Sequence, residues 1–533
     1  MMNRTFKTGV DREQDSFLPP RVEDYVSADN PVRAIEAYVD GLNLAKLGFR
    51  HARRGVTVGQ PPYNPSDLLK LYLYGYLNQV RSSRRLEREA QRNLELIWLL
   101  GGLEPGYRTI AKFRTENWAA LKAANRNFIL LAREAELLSG ALVAIDGAFF
   151  HGDARKGSIT TRKRLAEQVA KLDEHIEAYG TALASNDAEE DRSSGAGDRG
   201  GDGEDIGQKM AALMAKRAKA QEEIDRLDES GETQLSRTDP DARLLTKRGQ
   251  TVAGYNVQVA VDEKHKLIVA SEVVNDGNDT GQLYPMAKAA QEALGAQTLQ
   301  MVVADTGYYN GNTLKACEDD KIVAYVPQAQ RSSRLKKQGR FSHEDFSYDA
   351  EADVYRCPAG AALTPSKTLK DNGGRMERCY TSRLADCGAC ALRERCVTAK
   401  TPVRTVRRWE HEDVLERHRA RMKDAGDDMM RRRASLAEHP FGTLKCRAGY
   451  RPFLVRGLNK VRGEWSLLAL CYNLARVLNI LGIEGFKAKL ALWAALLRAI
   501  SAARGTARAV LSPLWTQYSS NARTMPLRLS LAA

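Results

Sequence analysis

The chain has 533 residues, of which 43% are hydrophobic, 7% aromatic and 28% charged. This composition excludes a disordered protein, a collagen-like chain and a small disulfide-stapled module, and the length predicts three or four structural units of about 150 residues. Lysine and arginine (81) outnumber aspartate and glutamate (67), and the net charge of +14 indicates a large anion, first of all nucleic acid, as the partner.

Residues 1–135 are predicted to form a helical domain. The apolar spacing of 67–80 is typical of a helix with Ser66 as its N-cap, and two further apolar runs predict two more helices. Arginines lie between these helices, which favours DNA binding, with Arg84 and Arg85 among the candidate contacts. A helical bundle whose arginine face is simply solvated fits the pattern nearly as well.

Short apolar runs predict buried β-strands in the middle of the chain. They fall at 141–150, 255–262, 267–274, 300–305 and 322–327, with a helix predicted at 283–294. Strands that alternate with helices indicate an α/β fold built on a sheet. We assign residues 136–480 to this domain and residues 481–533 to a C-terminal helical tail.

A first insertion, 158–232, is predicted to interrupt the α/β domain as an antiparallel helical hairpin. Apolar residues recur every three or four positions in 165–179 and again in 210–227. Between them, 185–205 contain eight acidic residues and five glycines, which predicts a flexible tip. The two seams can pair within the hairpin, or they can form a dimer surface.

A second insertion, 329–425, carries five of the eight cysteines. Clustered cysteines in a reducing compartment indicate metal ligands before disulfides, and a C-x₂-C pair lets two thiolates reach one Zn²⁺. The predicted ligands of a structural zinc are Cys357, Cys387, Cys390 and Cys396. Cys379 could replace Cys357, and free thiols remain an alternative. A redox role is less favoured because no thioredoxin-like strand precedes the pair.

The sequence predicts neither a membrane-spanning segment nor a secretory leader. The apolar run 490–497 is bracketed by Lys489 and Arg498 and is far shorter than the roughly 20 residues that a bilayer requires. The N-terminal residues are polar and charged. We therefore expect a cytoplasmic protein, associated with the nucleoid if its partner is DNA.

Three acidic residues are candidates for a hard-oxygen metal site. Asp146 and Asp305 each end a predicted buried strand, and Glu438 lies in a basic segment that also carries Arg431 and Lys445 at seven-residue spacing. Carboxylates suit Mg²⁺ or Mn²⁺, and two such ions can clamp the attacking and leaving oxygens of a phosphodiester. Taken singly, each aspartate is more simply explained as a turn residue, and Glu438 as a surface residue.

In combination, these motifs resemble the DDE transposases of bacterial insertion sequences. The resemblance rests on the order of IDG at Asp146, VVADTGYYN around Asp305 and RRRASLAEHPFGTLK around Glu438. TDPDAR at 238–243 and GYNVQVAVD at 254–262 are similar to one branch, the insertion-sequence family 1182 type. That branch also has a helical N-terminal domain and a cysteine-bearing insertion.

The resemblance implies an RNase H-like catalytic domain that cleaves DNA at the ends of the element and transfers the cut strand to target DNA. It implies that Asp146, Asp305 and Glu438 are the catalytic acids and hold two Mg²⁺ or Mn²⁺ ions. The implied partners are the terminal inverted repeats, the target DNA and a second copy of the chain in the synaptic complex. The alternatives are a metal-dependent nuclease without strand transfer and an inactive, DNA-binding descendant of a transposase.

The basic residues around Glu438 match the family in part. Lys445 matches a basic residue that contacts the transposon end. The tyrosine seven positions before the glutamate is Arg431 here, and the arginine four positions before it is Ala434, with Arg433 one position off. We include Lys445, Arg433 and Arg431 among the expected DNA contacts.

Overall fold

The computed structural model describes residues 21–53, 61–190, 202–247, 249–295, 299–328, 337–370, 374–398, 401–447 and 452–522. The acidic tip that the sequence predicts to be flexible falls largely on 191–201, outside the described residues.

The N-terminal part is helical, as predicted. Its helices are α1 (Pro31–Asp40), α2 (Leu44–Leu47), α3 (Pro65–Leu77), α4 (Ser83–Arg92), α5 (Leu94–Leu100), α6 (Tyr107–Glu116) and α7 (Trp118–Glu134), preceded by a 3₁₀ turn at Val22–Tyr25. The prediction that Ser66 caps α3 is wrong. The cap is Asn64, whose side-chain oxygen accepts the Ser66 N–H. Pro65 takes the first helical position, where a missing N–H costs no intrahelical bond.

A mixed sheet forms the centre of the chain. The strands from this part of the chain are β1 (Leu142–His151), β2 (Ile159–Thr161), β3 (Gln234–Ser236), β4 (Arg243–Lys247), β5 (Gln250–Asp262), β6 (Ile268–Val274), β7 (Met301–Val303) and β8 (Val323–Tyr325). The sheet order is β4-β5-β1-β7-β8, with β6 also paired to β5. β5 is antiparallel to β1, β4 and β6, whereas β1, β7 and β8 are parallel. The predicted α/β class and all five predicted strands are confirmed.

Helices cover both faces of this sheet. The remaining helices are α8 (Arg162–Glu190), α9 (Asp202–Ser230), α10 (Leu283–Leu294), α11 (Gly311–Asp319), α12 (Leu384–Gly388), α13 (Arg393–Cys396), α14 (Glu412–Gly442) and α15 (Leu458–Ala522). Val143 and Ile145 of β1 pack in one core with α10 and α11, whereas Leu142 and Ala144 pack against α14. Side chains alternate along a strand, so Asp146 lies on the face that α14 covers.

The first insertion folds as the predicted helical hairpin of α8 and α9. The buried residues of its seam include Leu165, Ala220, Ile224 and Leu227. The pair is also tied by ion pairs of Arg162 with Asp228 and Arg217 with Asp173. The seam residues near the base of the hairpin therefore face each other, which favours the internal coiled coil over the dimer surface.

The second insertion contains a sheet of its own. Its strands are β9 (Ser347–Asp349), β10 (Val354–Arg356), β11 (Ala362–Lys370), β12 (Met376–Thr381) and β13 (Thr405–Trp409), in the order β13-β12-β11-β10-β9. All four pairings are antiparallel. A small core of Phe346, Tyr355, Leu363, Tyr380 and Val406 supports this sheet.

The helix α15 joins the N-terminal helices to the central sheet. It is broken at Gly482, whose φ of 66° is not helical. Before the break, Val461, Trp465 and Leu468 are buried in the core shared with the N-terminal helices. Among the described residues, Leu458–Ala499 is long and apolar enough to cross a membrane, contrary to the expectation from the run 490–497. However, 56% of its most apolar window is buried inside the fold, as in the core helix of a globular domain.

The position of His418 on α14 predicts acid-sensitive stability. His418 is 1% exposed and its Nε2 accepts the Val326 N–H at 3.4 Å. Burial, with Arg421 and Arg419 nearby, lowers the pKa of His418 from 6.5 to about 4. The His418 imidazole therefore binds a proton more readily in the unfolded chain than in the folded protein. The free energy of unfolding is highest above about pH 6.5, where His418 is neutral in both states, and it decreases as the pH falls towards 4.

We expect protonation of His418 to lower the free energy of unfolding by about 2 kcal/mol when the pH is lowered from 7 to 5. His418→Gln keeps an oxygen that can accept the Val326 N–H but does not titrate. Urea unfolding at both pH values should show a smaller pH dependence in the variant than in the wild type. An identical pH dependence in the two proteins would contradict the prediction.

Candidate active site

The three predicted acids line one cavity of about 710 Å³. Asp146 comes from β1, Asp305 from the segment after β7, and Glu438 from the end of α14. Their separations along the sequence are large, and only the fold brings them together. A cavity walled by carboxylates from a strand, a loop and a helix is the arrangement that the sequence predicts for a divalent-metal site.

Asp146 does not end its strand, so the prediction on this point is wrong. β1 continues to His151 and pairs with β5 along its whole course from Val143. On its other side β1 pairs with β7 only over Leu142–Ala144, because β7 ends at Val303. Asp146 lies two residues beyond this pairing, where β1 is paired with β5 on one side and no longer with β7 on the other.

Gly147 lets the strand continue next to the acid. A Cβ at this position would lie 2.5 Å from Gln258 Nε2 and 2.8 Å from Asp279 Oδ1. Both distances are shorter than real carbon contacts. The glycine that suggested a turn in the sequence is therefore a strand residue against which buried polar groups pack closely.

Asp305 occupies the predicted position at the end of a strand. It lies two residues after β7 and caps a 3₁₀ turn, Thr306–Tyr308, by accepting the Gly307 N–H at 2.8 Å. This bond fixes one carboxylate oxygen and leaves the other available to the cavity.

Glu438 is exposed in the last turns of α14. Pro440 does not end the helix, which runs to Gly442 and continues into a π turn at Thr443–Arg447. The neighbouring His439 contacts α15, with Nδ1 2.8 Å from the Tyr472 hydroxyl and Nε2 3.2 Å from Arg476 Nη1. These bonds indicate a structural role for His439, because they fasten the helix end that carries Glu438.

Two of the predicted basic residues line the same cavity. Arg433 Nη2 lies 3.1 Å from Asp146 Oδ1, and both side chains are largely buried. Lys445 donates to the Phe149 carbonyl oxygen at 2.8 Å and lies over the Phe150 ring. Arg431 points elsewhere, since it is 76% exposed and pairs with Asp428.

Arg84 and Arg85 lie on α4 and are exposed. Arg84 lies over the Tyr107 ring at 5.3 Å. Neither residue lines the acidic cavity. They belong to the N-terminal helices, so any contact that they make with DNA lies outside this cavity.

Burial is the main electrostatic influence on Asp146. It raises the pKa of this carboxyl, and the neighbouring Asp305 raises it further, whereas Arg433 lowers it. The negative charge of Asp146 is therefore costly without a cation beside it. Arg433 supplies that cation in the structure, and a divalent metal would supply a larger charge.

A polar network that the sequence does not reveal lies behind the cavity. Asp279 is 5% exposed and accepts hydrogen bonds from Asn256 Nδ2 at 2.8 Å and Gln258 Nε2 at 2.7 Å. The Tyr308 hydroxyl donates to Gln258 Oε1. Burial, with Asp279 and Asp146 nearby, raises the pKa of Tyr308 well above its usual range, which keeps the phenol protonated.

The β4–β5 turn supplies another wall of the cavity. Lys247 and Gln250 face each other across this turn and both line the cavity. Their sequence, TKRGQT, reads only as a tight turn, and nothing in it points towards Asp146 or Asp305. The signal that could identify them is the antiparallel register of β4 and β5, which is not visible before the fold is known.

The cysteines of the second insertion separate into two groups. Cys357, Cys387, Cys390 and Cys396 line one small cavity of about 30 Å³. The Ser382 hydroxyl lies 3.0 Å from Cys387 Sγ, and the Leu392 N–H donates to Cys390 Sγ at 3.4 Å. Cys379 is buried on β12 and does not line this cavity, so it is a poor substitute for Cys357.

The donor sets of the two clusters fit the metals predicted for them. Carboxylate oxygens suit Mg²⁺ or Mn²⁺, and four thiols suit Zn²⁺. Within the described ranges, however, no three His, Cys, Asp or Glu side chains stand close enough together to hold an ion as they are placed. In the acidic cavity, Arg433 lies directly against one of the carboxylates.

Comparison with known proteins gives two family matches. A model described as a transposase DDE domain matches residues 356–478, and a transposase domain (DUF772) matches residues 20–116. No curated protein matches the chain. A solved structure, the cryo-EM structure of a piggyBac transposase synaptic complex with hairpin DNA, is similar with a TM-score of 0.30 and 9% identity, over 95% of this chain and 87% of that chain.

Proposed function

We propose that the chain is a DNA transposase of the insertion-sequence DDE family, and that Asp146, Asp305 and Glu438 are its catalytic acids. The observation that carries the proposal is that all three line one cavity together with Arg433 and Lys445. A mixed sheet with helices on both faces supports an RNase H-like assignment of this domain. The matched DDE domain, 356–478, includes Glu438.

The three acids would hold two Mg²⁺ or Mn²⁺ ions. When bound, such ions activate the attacking oxygen and stabilise the leaving oxygen of an in-line displacement at phosphorus. Asp305 enters this role with one oxygen already fixed by Gly307. His439, through Tyr472 and Arg476, holds the end of α14 so that Glu438 stays at the cavity.

The cations of the cavity would bind the DNA backbone. Arg433, which pairs with Asp146 in the structure, would turn to a backbone phosphate, since a guanidinium can pair with either anion. Lys445, whose ammonium group bonds the Phe149 carbonyl oxygen at the cavity wall, would be the second of these cations. Arg431, Arg84 and Arg85 would act outside the cavity, and recognition of the terminal inverted repeats would belong to the N-terminal helices.

The same chemistry serves both steps of transposition. Water cleaves the strand at the element end, and the resulting 3′-hydroxyl attacks a phosphodiester of the target DNA. We propose that two copies of the chain bring the two ends together, and that the reaction takes place in the cytoplasm at the nucleoid. The convergence of the acids supports this function over the inactive, DNA-binding alternative.

The experiment is an in vitro reaction with labelled duplexes that carry the element's own ends and a plasmid target. Purified protein with Mg²⁺ or Mn²⁺ should nick the end and join it to the plasmid, and EDTA should abolish both products. Cleavage without joined product would support the nuclease alternative. Binding without cleavage in either metal would support the inactive one.

The cysteine cavity gives a separate prediction about zinc. We propose that Cys357, Cys387, Cys390 and Cys396 hold a structural Zn²⁺, which would stabilise a small domain with little apolar core. Metal analysis of protein purified without chelators should find one zinc per chain. Cys390→Ser should lose the metal and expose the insertion to protease, whereas Cys379→Ser should retain it. Metal-free protein with a protease-resistant insertion would contradict the prediction.

A further inference from the structure

Lys247 and Asp279 form an ion pair at the edge of the proposed active site. Lys247 Nζ lies 3.3 Å from Asp279 Oδ2. The aspartate side chain is 6% exposed, whereas the lysine is 39% exposed and lines the cavity of the three acids. The pair therefore runs from the buried network behind the cavity to the cavity wall.

Asp279 is fixed by more than its lysine. Its Oδ1 accepts hydrogen bonds from Asn256 and Gln258, two buried residues of β5. Gln258 is in turn bonded by the Tyr308 hydroxyl. An aspartate with both oxygens engaged and almost no exposure is suited to hold a cation in place rather than to bind a ligand itself.

Lys247 faces an excess of negative charge in the cavity. A bound DNA strand would bring its negatively charged phosphates close to the carboxylates of Asp146, Asp305 and Glu438. Each cation of the cavity wall therefore matters for DNA binding. Arg433 and Lys445 come from the α14 side, whereas Lys247 comes from β4. Asp279 takes one of the three N–H donors of the Lys247 ammonium group, and the others remain for a phosphate.

We propose that Lys247 binds a backbone phosphate of the DNA strand that enters the cavity, and that Asp279 is the positioning residue that aims it there. The proposal rests on the proposed function, because it takes DNA as the occupant of the cavity. It adds a DNA contact from the end of β4, whereas Arg433 and Lys445 lie on α14 and just after it.

The test measures binding without cleavage. A fluorescent duplex from one element end is titrated in Ca²⁺ at several KCl concentrations with wild type, Lys247→Met, Lys247→Arg and Lys315→Met. Lys315 is the matched control, since it pairs with Asp319 at 2.7 Å and lies outside the cavity. Lys247→Met should weaken binding about 5- to 10-fold at 0.1 M salt and lower the salt slope by about 1.

Lys247→Arg should restore most of the affinity, and Lys315→Met should match the wild type. Equal affinity and salt slope in Lys247→Met and the wild type would overturn the phosphate contact. So would an equal loss in Lys315→Met. Because cleavage is not required, a wild type that binds but never cuts would contradict the proposed function and still leave this comparison decisive.

Asp279→Asn tests the positioning role. It keeps an oxygen for Asn256 and Gln258 but removes the charge that holds Lys247. Removal of a negative charge near DNA should tighten binding by simple electrostatics, yet we expect binding about threefold weaker, with no further loss when Asp279→Asn is added to Lys247→Met. Tighter binding, or additive losses in the double variant, would overturn the role of Asp279.

Discussion

Asp146→Asn, Asp305→Asn and Glu438→Gln are each expected to lower the rate of DNA cleavage by about 10³-fold or more. The physical reason is that each amide keeps the shape of the side chain but loses the negative charge that would bind a divalent ion. Stabilisation of charge on the transferring phosphoryl group by such ions is worth several kcal/mol, and about 4 kcal/mol corresponds to this factor. The measurement is single-turnover nicking of a labelled element end.

DNA binding should distinguish a folded variant that has lost catalysis from a variant that fails to fold. Asp146→Asn removes the buried charge opposite Arg433 and keeps an oxygen for the Gly147 N–H, so the duplex should still bind in Ca²⁺. Asp153→Asn is the matched control. It also pairs with an arginine, Arg456 at 2.8 Å, but it is half-exposed and does not line the cavity. A variant of the three acids that cleaves at the rate of Asp153→Asn would show that the triad is misassigned.

The local sequence is sufficient to predict five of the strands and the local surroundings of two of the three proposed acids. Apolar runs mark all five strands, because a strand buried on both faces leaves a continuous apolar pattern. Asp305 follows such a run directly, and Glu438 lies in a long basic helix. These features depend on neighbours in the sequence, which is why the pattern identifies them.

The surroundings of Asp146 could not be predicted in this way. An Asp-Gly pair after an apolar run has the local chemistry of a turn. Gly147 is instead required by Gln258 and Asp279, which lie more than a hundred residues away in the sequence. Lys247 and Asp279 were missed for the same reason, since their roles arise from the register of β4 and β5 and from the network behind the cavity.

The arginines of the N-terminal region show the same limit. Arg81, Arg84 and Arg85 read as one basic cluster. Arg84 and Arg85 are exposed, but the side chain of Arg81 is only 11% exposed and pairs with Glu464 of α15 at 2.7 Å. A basic cluster in the sequence is thus divided between a candidate DNA surface and the interior, and only long-range contacts decide which residue goes where.

The side chain of Glu464 is fully buried and lies between the side chains of Arg81 and Arg114. One oxygen accepts from Arg81 and from the Tyr76 hydroxyl at 3.1 Å, and Arg114 lies 3.8 Å away. The other oxygen accepts the Leu454 N–H at 2.9 Å. A single carboxylate therefore balances two buried guanidinium groups and joins the N-terminal helices to α15.

We expect Glu464→Gln to destabilise the protein by about 3–5 kcal/mol, because it leaves two buried positive charges without their counter-ion. Urea unfolding followed by tryptophan fluorescence is the measurement, since Trp465 is buried beside this site. Glu484→Gln is the control. Its side chain is 80% exposed and pairs with Lys487, so we expect a change within about 0.5 kcal/mol.

A second variant distinguishes loss of charge balance from loss of shape. If the uncompensated charge causes the damage, Glu464→Gln combined with Arg81→Met should unfold at a higher urea concentration than Glu464→Gln alone, because one of the two stranded charges is removed. If the two losses simply add, the electrostatic explanation fails and packing around Tyr76 and Leu454 is the cause. The coupled outcome would mean that one buried carboxylate holds the candidate DNA-binding helices onto the domain that carries the three acids.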